Sequence, residues 1–279
     1  MPTRTRRTCR GDPVSGIRTR TRRHGQAKVP PPLDVHAHIE AEISSESVRG
    51  LGAFVFAMTR SLDEYVLVSR RRDTRLVWGV GTHPGRQDYV ASFDEDRFAE
   101  AVEATPLVGE IGLDGGSAVP MADQIRTLRS ALGVLQGTPR LISLHSAGAH
   151  LQVIRELHRT PVEGIVLHWW TGSADLTDEA LRLGCAFSVP PAMVSNSRIL
   201  DRIPSDRLLF ETDHPYGDRG TVGRRKPGRT TDVEERLGER LNRTTIEMRH
   251  LHWANLRSLV LTLGLLDLFP EDWRGVLSD

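Results

Sequence analysis

Leu33-Asp-Val-His-Ala-His38 alternates three apolar residues with an acid and two imidazoles, which is the pattern of a short β-strand. The i, i+2 spacing sets His36 and His38 on one side of that strand. Two imidazoles so placed can hold one divalent ion together. Pro30, Pro31 and Pro32 mark a boundary just before it.

Downstream, β-rich runs alternate with helical ones. Strands are expected at Leu33–His38, Leu51–Met58, Leu76–Gly81, Pro106–Ile111, Arg140–His145, Gly164–His168, Cys185–Val189 and Leu208–Thr212. Helices are expected at Leu62–Arg72, Asp94–Ala104, Met121–Leu135, Gly148–His158, Leu176–Leu183 and Ser195–Arg202, with two more near Thr231–Leu241 and Thr245–Leu263. Runs such as Phe54 to Ala57 and Leu208 to Phe210 are continuously apolar, as in parallel strands covered on both faces. Eight strands alternating with helices predict an α/β fold, a closed (β/α)8 TIM barrel of the metal-dependent, amidohydrolase-like type; a doubly wound open sheet is the alternative. At 279 residues one barrel accounts for the chain.

The net charge of +1 conceals two unlike parts. Residues 1–30 hold eight Arg and one Lys against Asp12 alone, a net +8, so the remaining 249 residues carry −7. The expected division is a disordered Arg-rich tail over 1–32 and a barrel over 33–279. Cys9 and Cys185 are too few for a disulfide framework, which points to a reducing compartment, the cytoplasm. The longest apolar run, Leu259 to Phe269, is short and broken by Asp267, so no membrane partner is expected. The twin arginine Arg6-Arg7 lacks the apolar segment of an export signal.

Chemistry gathers where the strands end. His36 and His38 close the first, His83 follows the third, Glu110 lies in the fourth, His145 and His168 end the fifth and sixth, and Asp213 follows the eighth. In a parallel barrel these ends converge on one face. A carboxylate can bridge two ions, as imidazole cannot, and Glu110 is central enough to do so. Four imidazole nitrogens, a bridging and a terminal carboxylate suit two ions about 3.5–4 Å apart. Mixed N/O ligation favours Zn, Mn or Fe over an all-oxygen Mg site. His24, His150, His158, His250 and His252 read as solvated or structural, Cys185 as a small buried residue, and Trp169 and Trp170 as pocket wall or packing.

Six segments appear in order: Leu33 to His38, Gly81-Thr-His-Pro84, Val108-Gly-Glu-Ile-Gly-Leu-Asp114, Leu144-His-Ser146, Leu167-His-Trp-Trp-Thr-Gly-Ser173 and Phe210-Glu-Thr-Asp-His-Pro215. Together they resemble the motifs of the TatD family of metal-dependent deoxyribonucleases on a TIM barrel. The likeness runs from about Leu33 to Leu259, with Gln124 and Asn255 at family-like places. The run Gly184 to Met193 is further similar to the TatD-type nuclease of the Qat anti-phage defence system, whose ATPase and other proteins would then be partners.

The resemblance implies that His36, His38, Glu110 and Asp213 hold a first metal, and Glu110, His145 and His168 a second. It also implies that Asp213 orients the attacking water as general base, that His83 contacts the scissile phosphate or stands behind the ligands, and that Glu211 steadies them. Ser146 and Trp169 are expected at the substrate or just behind it. Two departures bear on substrate preference. Where many relatives have His-Ser-Arg this chain has His145-Ser146-Ala147, and Gly115-Gly116-Ser117 follows Asp114 where relatives place a Tyr and basic residues. An acidic body lacks the broad positive groove of a duplex-tracking enzyme, which favours single-stranded DNA or 3′ ends. The alternatives are an amidohydrolase or lactonase acting on a small substrate, and a non-catalytic scaffold subunit of a defence complex. No Lys at a strand end is available to be carbamylated as a metal bridge, which counts against the former. The tail could tether nucleic acid, extend into solvent, or lie upstream of the true start.

Overall fold

The computed structural model describes Met1, Thr3, residues 29–217 and residues 226–278, without the Ser197 side chain. Eight parallel strands form the centre: β1 Leu33–Ala37, β2 Phe54–Met58, β3 Leu76–Gly79, β4 Leu107–Gly112, β5 Leu141–His145, β6 Ile165–His168, β7 Ala186–Val189 and β8 Leu208–Phe210. Their ladders run β1-β2-β3 and β4-β5-β6-β7-β8. Single bridges join the two sheets, Val80 to Val108 at one seam and Ala37 to His214 at the other. Backbone bonds Gly109 N to Val80 O (2.8 Å), Asp213 N to His36 O (2.9 Å) and His38 N to His214 O (2.8 Å) complete the circuit of the (β/α)8 fold.

Side-chain alternation sorts each strand between two cores. Phe54, Phe56 and Met58, Val77, Leu141, Val166, Ala186 and Leu209 face the barrel interior. Their neighbours Val55, Ala57, Trp78, Ile142, Leu167, Phe187 and Phe210 face the surrounding helices. Continued along the strands, the interior positions become Ser143 and His145, His168, Ser188 and Glu211. The interior is therefore apolar at the strand starts and polar at the strand ends.

The apolar end is closed by Trp253, Leu256 and Val260 of helix Thr245–Thr262 and by Trp273 and Leu277 of helix Glu271–Ser278. Trp273 stacks on Phe56 at 5.0 Å and meets Phe54 edge-on at 4.9 Å. Most expected helices form, and several start on the caps their sequence offers: Ser61, Asp94 and Ser173 each accept a backbone N–H of the first turn, and Thr244 with Glu247 makes a capping box.

The differences are local. The second strand begins at Phe54 rather than Leu51, because Ser45–Gly50 is a short helix capped by Ser44 whose end occupies Leu51. Helices Gln87–Ala91 and Glu271–Ser278 were not foreseen, being too short to show a period. The expected tail lies almost entirely outside the described residues, as does Cys9. Pro31 and Pro32 bond to the body, accepting from Trp253 Nε1 and Phe54 N.

Candidate metal centre

Two strands break their alternation, and both carry site residues. In β1, Leu33 and Val35 face the interior, yet His36 does too, since the register with β2 shifts between Asp34 and Ala37. In β4 the register with β5 shifts between Val108 and Ile111, bringing Glu110 inward after Leu107. Such irregularities re-aim a side chain without interrupting the strand. Gly81 allows the close approach at this seam, because a Cβ there would fall on Glu110 N and Thr59 O.

Glu110 is 1% exposed and stands at the centre of the histidines. Its Oε2 lies 3.1 Å from His38 Nε2 and 3.8 Å from His36 Nε2. Its Oε1 lies 2.5 Å from His145 Nδ1 and 2.8 Å from His168 Nε2. Asp213 Oδ1 is 3.7 Å from His36 Nε2 and 3.9 Å from His38 Nε2. Three overlapping groups have ligand atoms close enough to share an ion: His36, His38 and Glu110; His36, His168 and Asp213; His83, Glu110 and His145. Glu110 Oε2, His145 Nε2 and His168 Nδ1 are buried without a hydrogen bond, and a divalent ion would satisfy the carboxylate oxygen. The donors fit the metals expected of such a set.

Two outward nitrogens face polar side chains, one within hydrogen-bond distance and one only at ion-pair distance. His36 Nδ1 is 2.7 Å from Ser143 Oγ, and His168 Nδ1 is 3.6 Å from Glu211 Oε1. Fully buried Glu211 accepts from Trp169 N at 3.1 Å and from Ser188 Oγ. His83 differs: its Nδ1 accepts from Gly85 N at 2.9 Å, so the neutral ring carries its proton on Nε2, 3.5 Å from Glu110 Oε2. In that tautomer the nitrogen donates, which sets His83 apart from the other histidines even though its distance to Glu110 and His145 would allow it to share an ion.

Charge within the cluster is unevenly shared. Burial alone would raise the Glu110 carboxyl, but His83, His168 and His145 hold it well below its usual range. Burial opposes a charged His168, yet Glu110 and Glu211 push it well above the usual imidazole value. Burial lowers His36, with His168 adding to the effect. Asp213 is pushed well above the carboxylate range by burial and by Glu211, Glu110 and Asp34, against His168. A divalent ion beside Asp213 would reverse that shift.

Sequence reasoning named the clustered side chains and Glu211 behind them, but not Asp34, Ser143 or Ser188. Asp34, fully buried, accepts from Thr212 N (2.9 Å), Thr212 Oγ1 (2.6 Å) and Gly228 N (2.8 Å), fastening β1 to the segment after β8. Burial raises its carboxyl to about 6. Its place two residues before His36 was the available signal. Trp169 (φ 41°) and Asp213 (φ 44°) sit in the left-handed region, a cost of about 1–3 kcal/mol each that collects at functional sites.

Above the cluster opens a cleft of about 800 Å³, lined by His38, His83, His145, Ser146, Trp169 and Asp213 among others, with Arg60, Arg86, Tyr89 and Tyr216 at its walls. Ser146 is buried and its Oγ has no hydrogen bond, whereas Trp170 turns away and donates to Thr177 Oγ1. Another cavity, of about 400 Å³, borders Arg71, Trp78 and Phe269, away from the histidines.

The family model for TatD related DNase matches residues 33–260. The uncharacterized metal-dependent hydrolase YabD of Bacillus subtilis is 25% identical over 257 residues, covering 81% of this chain and 98% of the relative. The 3′-5′ ssDNA/RNA exonuclease TatD of Dickeya dadantii is 34% identical over 127 residues, 41% of this chain and 47% of that protein. Among solved structures, the Escherichia coli TatD homolog YJJV superimposes with a TM-score of 0.67 at 21% identity, covering 81% of this chain and 97% of that one. A TatD family hydrolase from Entamoeba histolytica gives 0.65 at 14% identity, over 82% and 97%. No described helix is long and apolar enough to cross a membrane. With a barrel of this topology, a histidine and carboxylate centre at its strand ends and a family match across most of the chain, the protein belongs to the TatD-related DNases, metal-dependent hydrolases.

Proposed function

We propose a two-metal phosphodiesterase acting on single-stranded DNA or 3′ ends, in which His36, His38, Glu110 and Asp213 surround one ion and Glu110, His145 and His168 a second. The observation that carries it is the two-sided Glu110 carboxylate, each oxygen meeting a different pair of imidazoles. Divalent ions held there, Zn, Mn, Mg or Fe, would supply Lewis-acid polarisation of a phosphodiester and acidify a water.

The chain's own groups then have distinct tasks. Asp213 accepts the proton of the attacking water, whose oxygen bonds to phosphorus as the ester oxygen opposite departs with the bonding pair. His83 donates from Nε2 to an oxygen of the scissile phosphate, a role supported by its Gly85 bond. Glu211 holds His168 and the Trp169 backbone, while Trp169 and Ser146 wall the cleft. A cleft of about 800 Å³ suits a strand end of a nucleotide or two better than a duplex. The Dickeya relative's name, a 3′-5′ ssDNA/RNA exonuclease, points the same way.

Purified protein with Mn or Mg is expected to cleave a labelled single strand, and His145→Ala to reduce cleavage to background. Equal rates for the two proteins would sink the proposal. The Gly184–Met193 resemblance supports a role in anti-phage defence, with an ATPase among the partners, and the scarcity of cysteine favours the cytoplasm. Phage protection that survives His145→Ala would instead favour a scaffold.

A further inference from the structure

We propose that Arg60 and Arg86, with Tyr89 beside them, form a subsite for the backbone phosphate next to the scissile one, so that the strand enters over β2 and β3. The proposal rests on the phosphodiesterase reading and says where its substrate runs. Arg60 follows β2, Arg86 and Tyr89 follow β3, and all three line the cleft that opens on the histidine cluster.

Each guanidinium is gripped by a carboxylate, and Arg60 Nη2 also has the exposed Glu40 Oε2 at 3.6 Å. Glu64 takes Arg60 through Nε (3.2 Å) and Nη2 (2.7 Å). Asp88 takes Arg86 through Nε (3.0 Å) and Nη2 (2.9 Å). In neither case does a hydrogen bond among the described residues use Nη1. The carboxylates fix each planar fork and leave one nitrogen to a further acceptor, the arrangement that suits a phosphate oxygen. Arg86 lies over the Tyr89 ring at 5.1 Å, and half-buried Tyr89 offers an aromatic surface to a base.

The neighbouring stretch of wall, after β4 and β5, supplies no such group. After β4 the cleft is lined by Asp114 and Gly116, and after β5 by Ser146 and Ala147. A phosphate on that side meets the Asp114 carboxylate, which repels it. Glu64 and Asp88 largely neutralise the two arginines, so the pair supplies direction and hydrogen bonds, while long-range attraction would come from the ions nearby.

The test uses the full chain with its metals and a fluorescent single strand whose phosphorothioate linkages resist cleavage, followed by anisotropy at several salt concentrations. Arg86→Gln and Arg60→Gln are each expected to weaken binding about tenfold. Each should also flatten the slope of log K against log salt, by no more than about 0.7, the value for one phosphate met by a cation without a carboxylate partner. Arg202→Gln, an exposed position outside the cleft, should change neither. Because the Arg86 side chain is 61% exposed, its variant is expected to fold even if that of Arg60 does not.

A second arm places a neutral methylphosphonate at the linkage beside the scissile bond. It should raise KM for the parent protein and have little effect on the double variant. Unchanged affinity and slope in Arg86→Gln, or an undiminished methylphosphonate penalty in the double variant, would overturn the subsite. If no strand is cleaved yet the arginine variants still lose binding, the phosphodiesterase reading fails and the subsite stands.

Discussion

At the scale of the residue, the centre depends on how closely backbones can approach. Gly112, in β4, has φ +145°, and a Cβ there would strike the backbone of His145. Gly112→Ala therefore forces apart the two strands that present Glu110 and His145. It is expected to destabilise the fold by about 1–3 kcal/mol by overpacking, with further cost from the strained φ. Urea unfolding beside elemental analysis checks this: stability should fall and bound metal with it, and parental values for both would refute the account. The candidate ligands were legible because each is a chemically distinctive residue in or just after the C-terminal half of a strand. Ser143 and Ser188 were not, since a serine inside an apolar strand carries no signal until the fold sets it beside a histidine or a buried carboxylate, and Asp34 was marked only by its place two residues before His36.

At the scale of the element, helix Thr245–Thr262 ties β8 to the barrel floor. His252 Nε2 accepts the Phe210 N–H at 3.0 Å, and Asn255 Nδ2 donates to Leu208 O at 2.7 Å. Burial, with Arg249 nearby, lowers the His252 imidazole to about 3. Below its ordinary value of about 6.5 the unfolded chain takes up a proton that the folded protein refuses. Stability is therefore full above that pH and falls as pH drops from about 6.5 toward 3, by at most about 1.4 kcal/mol per pH unit from this residue. His252→Gln keeps an acceptor for Phe210 N–H but has no proton to gain. Its unfolding free energy between pH 7.5 and 5 should fall less steeply than the parent's, and parallel curves would show that His252 is not the source. From sequence this residue read as solvated or structural, and its total burial settles the latter.

At the scale of the whole molecule, the centre joins both sheets and the two seams between them. His36 lies in β1 and His38 just after it, Glu110 in β4, His145 and His168 in β5 and β6, and Asp213 follows β8. Ions held by all of these would bind the folded barrel and not the unfolded chain. Removing metal with a chelator is expected to lower the melting temperature, and restoring Zn or Mn at about a thousand times its Kd should return about 4 kcal/mol. His145→Ala should show a smaller response in the same thermal scan. A parent protein indifferent to both treatments would mean that metal binding and folding are uncoupled.

Residue order alone determined the eight-strand rhythm, the apolar and polar ends of the strands and the identity of the clustered side chains. These follow from local properties: strand alternation, helix capping and the chemistry of imidazole and carboxylate. Tertiary structure decided the rest. The register shifts in β1 and β4 turn His36 and Glu110 inward against simple alternation, and they arise from how neighbouring strands pair. Gly85 sets the tautomer of His83, and Glu64 and Asp88 set the aim of two arginines that nothing in their local sequence distinguishes from other surface cations. Hydrogen-bond direction and side-chain aim depend on which atoms the closed barrel brings within about 3 Å, and strand period does not encode that.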